Sequence, residues 1–193
     1  VYMSANFVAL ALGQWLILVG DRFAFVPFAM VSVMFSLALL PITLTPVEEP
    51  VPVEAPSLSL RSLYEASPLG TAAAFASGLL NGTFFGMGAL YAQGIGLSDT
   101  GVAAFMAATI LGGAIFQWPV GHYSDRHDRR LVLFWVCIGA AALAGLSLLL
   151  LSMPHWTLIA LGLFYGGLVF TVYGLGVAHV NDVIDSNRLL EFT

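Results

Sequence analysis

The sequence predicts an all-α, polytopic membrane protein of six transmembrane helices. Three observations carry that expectation. The 193 residues are 59% hydrophobic and only 9% charged, whereas soluble domains run near a quarter charged and need those charges to cover their surface. Six apolar runs approach or exceed the roughly 20 residues that cross a bilayer core as helix. None of the six contains Asp, Glu, Lys or Arg. The two-residue alternation of a membrane barrel strand is absent, so helix is the state that satisfies the backbone in lipid.

The first run is Tyr2–Val19. Its Asn6 and Gln14 lie eight residues apart and read as helix-to-helix hydrogen-bonding groups. The turn Gly20-Asp21-Arg22 leads to Phe23–Leu44. Pro46 to Pro68 then holds five of the nine prolines and four of the eleven acids. Val47 to Pro56 is expected to be extended and solvated. Leu58, Leu60, Leu63 and Tyr64 beside Arg61 and Glu65 suit a short interfacial helix, and equally a plain polar linker.

The third run, Leu69–Gly96, carries Gly78, Gly82 and Gly86 at every fourth residue, which predicts a groove for close packing. Leu97 to Thr100 forms a tight turn before Gly101–Val120, which ends on Gln117-Trp118-Pro119-Val120. Leu131–Leu151 contains the single cysteine, Cys137, which reads as a core thiol. Ser152 to His155 turns into the sixth run, Trp156–Ala178. Gly174 and Gly176 suit either a hinge or close packing there.

Several classes of function are excluded. The net charge is -5 and no basic face is present to hold phosphates, so a nucleic-acid binder is not expected. The sequence has no His-Glu-x-x-His site, no Gly-x-Ser-x-Gly elbow and no paired intramembrane acids. His122, Asp125 and His127 match no strong metal spacing. No enzyme, cofactor or metal is expected. The first run lacks the basic segment and short apolar core of a signal peptide. It opens on Val1 without a methionine, and the expectation is a piece of a longer chain.

Arginine counting sets the orientation. With six spans, Arg61, Arg126, Arg129, Arg130 and Arg188 share one side, and Arg22 alone lies on the other. The linker, the loop 122–130 and the C-terminal tail are therefore expected in the cytoplasm.

That loop, Gly121-His122-Tyr123-Ser124-Asp125-Arg126-His127-Asp128-Arg129-Arg130, carries the strongest functional signal. Gly121 permits a close helix approach. Asp125 suits the exposed N–H groups of a neighbouring helix N-terminus. Asp128 is placed to cap the next helix. Arg129 and Arg130 oppose that helix's own dipole, so they need lipid headgroups or a carboxylate partner.

The pattern Gly-x-x-x-Asp-Arg-x-x-Arg-Arg between two spans resembles the signature cytoplasmic loop of the major facilitator superfamily. A long linker and two spans ahead of it resemble the second copy of that loop, between helices eight and nine. The resemblance implies that the six spans match helices five to ten of a twelve-helix carrier. Residues 1–45 would close the N-terminal half, 46–68 would be the central linker, and 69–193 would open the C-terminal half. Ser67-Pro68-Leu69-Gly70, Gln117-Trp118-Pro119-Val120-Gly121 and Tyr173 to Asp182 resemble a bacterial YcaD-type subgroup.

The resemblance implies a secondary active transporter of small molecules in the bacterial inner membrane, driven by alternating access and proton-coupled by analogy. Alternatives are a half-sized protein without transport activity of its own and, last, an intramembrane enzyme. The loop residues Gly121, Asp125, Arg126, Arg129 and Arg130 would form a conformational latch, with Asp125 meeting the start of the first helix near Met3 and Ser4. Asn81, Phe85, Tyr165 and Tyr173 are candidate cavity residues, because the third and sixth spans would line the central cavity. His179, Asn181 and Asp182 are candidates for a proton relay or a gate. No carboxylate lies within these spans, so an essential coupling acid is expected elsewhere.

Overall fold

The structure, a computed structural model, describes residues 2–19, 25–45, 60–149 and 154–183. The expected turns at Gly20-Asp21-Arg22 and at Ser152-Met153, the extended segment from Val47 to Pro56, Leu58 and Arg188 lie outside the described residues. Eight α-helices appear among those described: α1 Tyr2–Gly13, α2 Phe25–Leu44, α3 Leu60–Ala66, α4 Pro68–Gly94, α5 Asp99–Ser124, α6 Arg129–Leu149, α7 His155–Val169 and α8 Val172–Val183. No strand occurs among the described residues.

Among the described residues, four helical segments are long and apolar enough to cross a membrane: Pro68–Gly94, Asp99–Ser124, Arg129–Leu149 and His155–Val183. The first two runs give shorter apolar helices, Tyr2–Leu18 and Phe25–Pro41. The first run changes from α to 3-10 winding over Gln14–Leu18, and Pro41 sits inside α2. α2 continues through Pro41 to Leu44, 20 residues, the length that spans a bilayer core.

Caps mark the starts of the next helices. Ser67 accepts from Gly70 N at 3.2 Å with Pro68 at the first helical position, and Ser98 accepts from Gly101 N at 3.3 Å. Gly96, at φ 86°, makes the turn between α4 and α5. The short helix expected before Pro68 is present as α3, with Arg61 and Glu65 paired at 2.8 Å across one turn, and it packs on α4.

The closest helix crossing joins α5 to α7. A Cβ on Gly112 would overlap the carbonyl of Leu163, and one on Gly166 would overlap the carbonyl of Thr109. Backbone therefore lies on backbone, as small residues permit in membrane bundles. The sequence expectation chose a different set of glycines. A Cβ at Gly78, Gly82 or Gly86 meets nothing within 4 Å, and all three are exposed. Their four-residue spacing puts them on one face, but that face of α4 meets no neighbour among the described residues. Cys137 is also exposed, on the outer face of α6, and not in a core. An apolar run has no solvent-facing side in lipid, so hydropathy could not tell inner from outer.

The sixth run is not one continuous helix. It breaks between α7 and α8 at Phe170 and Thr171. Thr171 N–H donates to Leu168 O at 3.3 Å, a tightened turn, and its hydroxyl donates to the same carbonyl at 2.8 Å. Gly166 and Gly167 precede the break and lower the cost of bending. Phe170 joins a core with Phe84, Ala92, Met106 and Ile110. Val172 and Leu175 join a second core with Ala73, Val132, Leu133 and Val136. The break thus divides one run between two cores.

Candidate functional site

The site begins where α5 outruns its apolar segment. Pro119 lies inside the helix, which continues to Ser124 through Gly121, His122 and Tyr123. Asp125 closes it, its N–H donating to Gly121 O at 2.9 Å. Only residues 125–128 separate α5 from α6. Asp128 Oδ1 accepts from Arg130 N at 2.9 Å, so it caps α6 as its position implied.

Capping places Arg129 and Arg130 in the first turn of α6, where the helix dipole disfavours a cation. Arg129 finds its compensation in two carboxylates. Its Nη1 lies 3.0 Å from Asp125 Oδ1, and its Nε donates to Asp182 Oδ2 near the end of α8. Nη1 also donates to the buried hydroxyl of Ser124 at 3.5 Å. The Arg129 side chain is 19% exposed, against 62% for Asp125 and 54% for Asp182. One planar guanidinium therefore ties together α5, α6 and α8. Lysine, a point charge, lacks the fork needed to hold two acids this way. Arg126 and Arg130 are exposed and form no ion pair among the described residues.

Asp125 also lines a cleft of about 850 Å³ between α1 and α5, shared with Ser4, Val8, Gln117, Trp118 and His122. Asp125 and Ser4 thus line one cleft from opposite walls, with no hydrogen bond between them among the described residues. Gly121 lines the cleft too, but a Cβ there would meet nothing within 4 Å. The close approach expected of Gly121 is made instead by Gly70, whose Cβ would overlap the side chain of Val180.

The remaining candidates separate. His179 is buried at 8% exposure, by spacing on the same face of α8 as Val172 and Leu175. Asn181 is exposed, and Asp182 belongs with Arg129. Gly174 and Gly176 pack closely, against Gln117 and Ala73, so the break in this run lies one turn before them. Tyr165 lines an apolar cavity of about 820 Å³ with Thr83, Met87 and Tyr91. Asn81, Phe85 and Tyr173 do not line it. Asn81 donates to Ser77 Oγ at 3.4 Å within its own helix, and Phe85 packs 5.9 Å from Phe170, ring to ring. Tyr173 is exposed. Tyr165 and Tyr173 are eight residues apart, but the break between them resets the helical register. Asn6 is exposed, and Gln14 donates to Leu10 O of its own helix, so neither makes the expected interhelical bond among the described residues.

Sequence reasoning missed Ser124, Phe170 and the Gly112–Gly166 crossing. Gly162 and Gly166 did show small-residue spacing. Nothing in the sequence marked Phe170, whose ring lies 5.0 Å from Phe7 and 5.6 Å from Phe84.

Comparison with known proteins now bears on this geometry. The sequence model of the Major Facilitator Superfamily matches residues 1–188. An uncharacterized MFS-type transporter of Enterobacter sp. (strain 638) is 29% identical over 98% of this chain and 49% of its own length. One from Yersinia enterocolitica is 26% identical over the same shares. The uncharacterized MFS-type transporter YcaD of Escherichia fergusonii is 24% identical, again over 98% and 49%. The chain thus spans about half the length of the curated relatives it matches. No solved structure matches it. With a family match across nearly every residue, a signature loop folded as a turn between two membrane-length helices, and an all-helical fold, the chain belongs to the major facilitator superfamily.

Proposed function

We propose that this chain is the central portion of a secondary active carrier that moves a small molecule across the bacterial inner membrane by alternating access. Residues 1–45 belong to one half, 69–193 to the other, and 46–68 link them. Arg129 and Asp182 brace Asp125 at the end of α5 within the second half, and Asp125 is the cytoplasmic latch that faces Ser4 of the first half across the cleft. One observation carries this reading: Arg129 joins the ends of three helices, while Asp125 also borders the cleft toward α1.

The energetics suit a modest brace within one half. Both carboxylates are more than half exposed, so each link contributes at most about 1 kcal/mol. Asp182 serves the gate and not a proton relay, because its partner is a permanent cation.

The test needs no knowledge of the substrate. Ser4→Cys, made in a Cys137→Ala background, reports on the cytoplasmic cleft through a membrane-impermeant maleimide in inside-out vesicles. Asp125→Asn is expected to raise its labelling rate several-fold, with membrane insertion unchanged. An unchanged rate in a well-inserted variant overturns the latch.

A further inference from the structure

We infer that the groove between α5 and α6 is a binding site for an anionic phospholipid. One acyl chain lies in the groove, and the phosphate meets Arg126 and Arg130. The groove follows from how these helices pack. α5 and α6 each lie on α7 and scarcely touch one another. Leu168 of α7 lines the space left between them, about 580 Å³. Phe116 and Val120 face it from α5, and Leu131, Trp135 and Val136 from α6. Leu131 and Trp135 are exposed on a helix long and apolar enough to cross a membrane, so acyl chains cover them there. The groove has the reach of a single leaflet. Phe116 to Tyr123 and Asp128 to Val136 each rise about 10–12 Å, less than half of a hydrocarbon core of about 30 Å. Its other end is polar, formed by Tyr123, His127 and Asp128. There the Tyr123 and His127 rings stack at 4.0 Å, and His127 Nδ1–H donates to the Tyr123 carbonyl at 2.9 Å.

Charge complementarity selects the headgroup. Among the described residues around this loop, Arg126, Arg129 and Arg130 stand against Asp125, Asp128 and Asp182. The sum is even, so contact decides and not the net field. All three acids are engaged. Asp125 and Asp182 take Arg129, and Asp128 takes the Arg130 N–H at the start of α6. Arg126 and Arg130 are exposed and have no ion pair among the described residues. They adjoin His127 and Leu131, which line the groove. Arg130 also lies in the first turn of α6, where the dipole disfavours it. A phosphodiester answers both guanidiniums with paired, charge-assisted hydrogen bonds. The ammonium of a zwitterionic headgroup finds no carboxylate without a partner. The ligand is therefore a phospholipid whose headgroup is anionic.

The inference does not rest on the transport reading, and lipid preference alone tests it. Trp135 is kept as the single tryptophan by Trp15→Phe, Trp118→Phe and Trp156→Phe. The chain is reconstituted in phosphatidylcholine vesicles that hold brominated phosphatidylglycerol or, at equal fraction, brominated phosphatidylcholine. Quenching of Trp135 should report an affinity at least about fivefold higher for phosphatidylglycerol. Arg126→Gln with Arg130→Gln should remove that preference, and both side chains are exposed, so the fold is kept. Trp156 kept alone, at the opposite end of α6 and α7 from the loop, should show no preference. If the triple variant fails to insert, the difference between the unaltered chain and Trp135→Phe gives the same reading. Soluble glycerophosphate should not relieve the quenching. Equal quenching by the two lipids, stronger quenching by brominated phosphatidylethanolamine, or relief by glycerophosphate each overturns the site. So does an equal preference at Trp156, or one at Trp135 that survives loss of both arginines.

Discussion

Arg129 shows how a single residue can be half legible. Its need for an anionic partner follows from its place in the first turn of α6. The identity of that partner does not, because Asp182 lies 53 residues away and local spacing carries no long-range pairing. Asp128 was legible for the opposite reason: a cap is a contact with the next few residues. Two predictions belong at this scale. A cycle of Arg129→Gln and Asp182→Asn should show a coupling of about 0.5–1 kcal/mol in unfolding free energy, measured by denaturant titration in micelles. Additive single effects would remove the bridge from the account. Asp128→Ala should cost about 1 kcal/mol in the same titration, through loss of the cap.

At the scale of elements, apolar runs told where helices lie but not which of their faces meet. Gly78, Gly82 and Gly86 and the pair Gly162 and Gly166 have the same spacing, yet only the second set holds a crossing. The difference lies in what stands opposite, here Thr109 of α5, its side chain against Gly162 and its carbonyl against Gly166, and no window on one helix reports that. The contrast is measurable. Gly166→Ala should destabilise by about 3 kcal/mol, since the new methyl group overlaps a carbonyl that cannot rotate away. Gly82→Ala meets open space and should be neutral, or stabilising by up to about 1 kcal/mol. Equal effects would mean the α5–α7 crossing is not the tight one. The break at Phe170 was hidden because neither proline nor a polar run marks it. Its causes are a threonine hydroxyl turned onto a carbonyl and a phenylalanine drawn toward a different core from its neighbours.

For the whole molecule, membrane class was the most legible property, because it rests on composition and not on pairing. Sidedness is the finest claim that composition supports, and it has a test independent of every side-chain contact. α4 runs from Pro68 to Gly94 and α5 returns from Asp99 to Ser124, so one crossing separates Arg61 from Thr100 and a second separates Thr100 from His127. Arg61 and His127 must then share a side, whichever way the chain is inserted. The arginine excess predicts that this side is the cytoplasmic one. Single cysteines at the three positions, in a Cys137→Ala background, are probed with an impermeant maleimide on intact cells. Thr100→Cys should label at once, and Arg61→Cys and His127→Cys only after permeabilisation. The reverse pattern would keep the two crossings and invert the protein, moving the Arg129 cluster to the outer face. Labelling of Arg61→Cys and Thr100→Cys from the same side would mean that α4 does not cross, and the latch would then lack the membrane-spanning helix against which α8 packs.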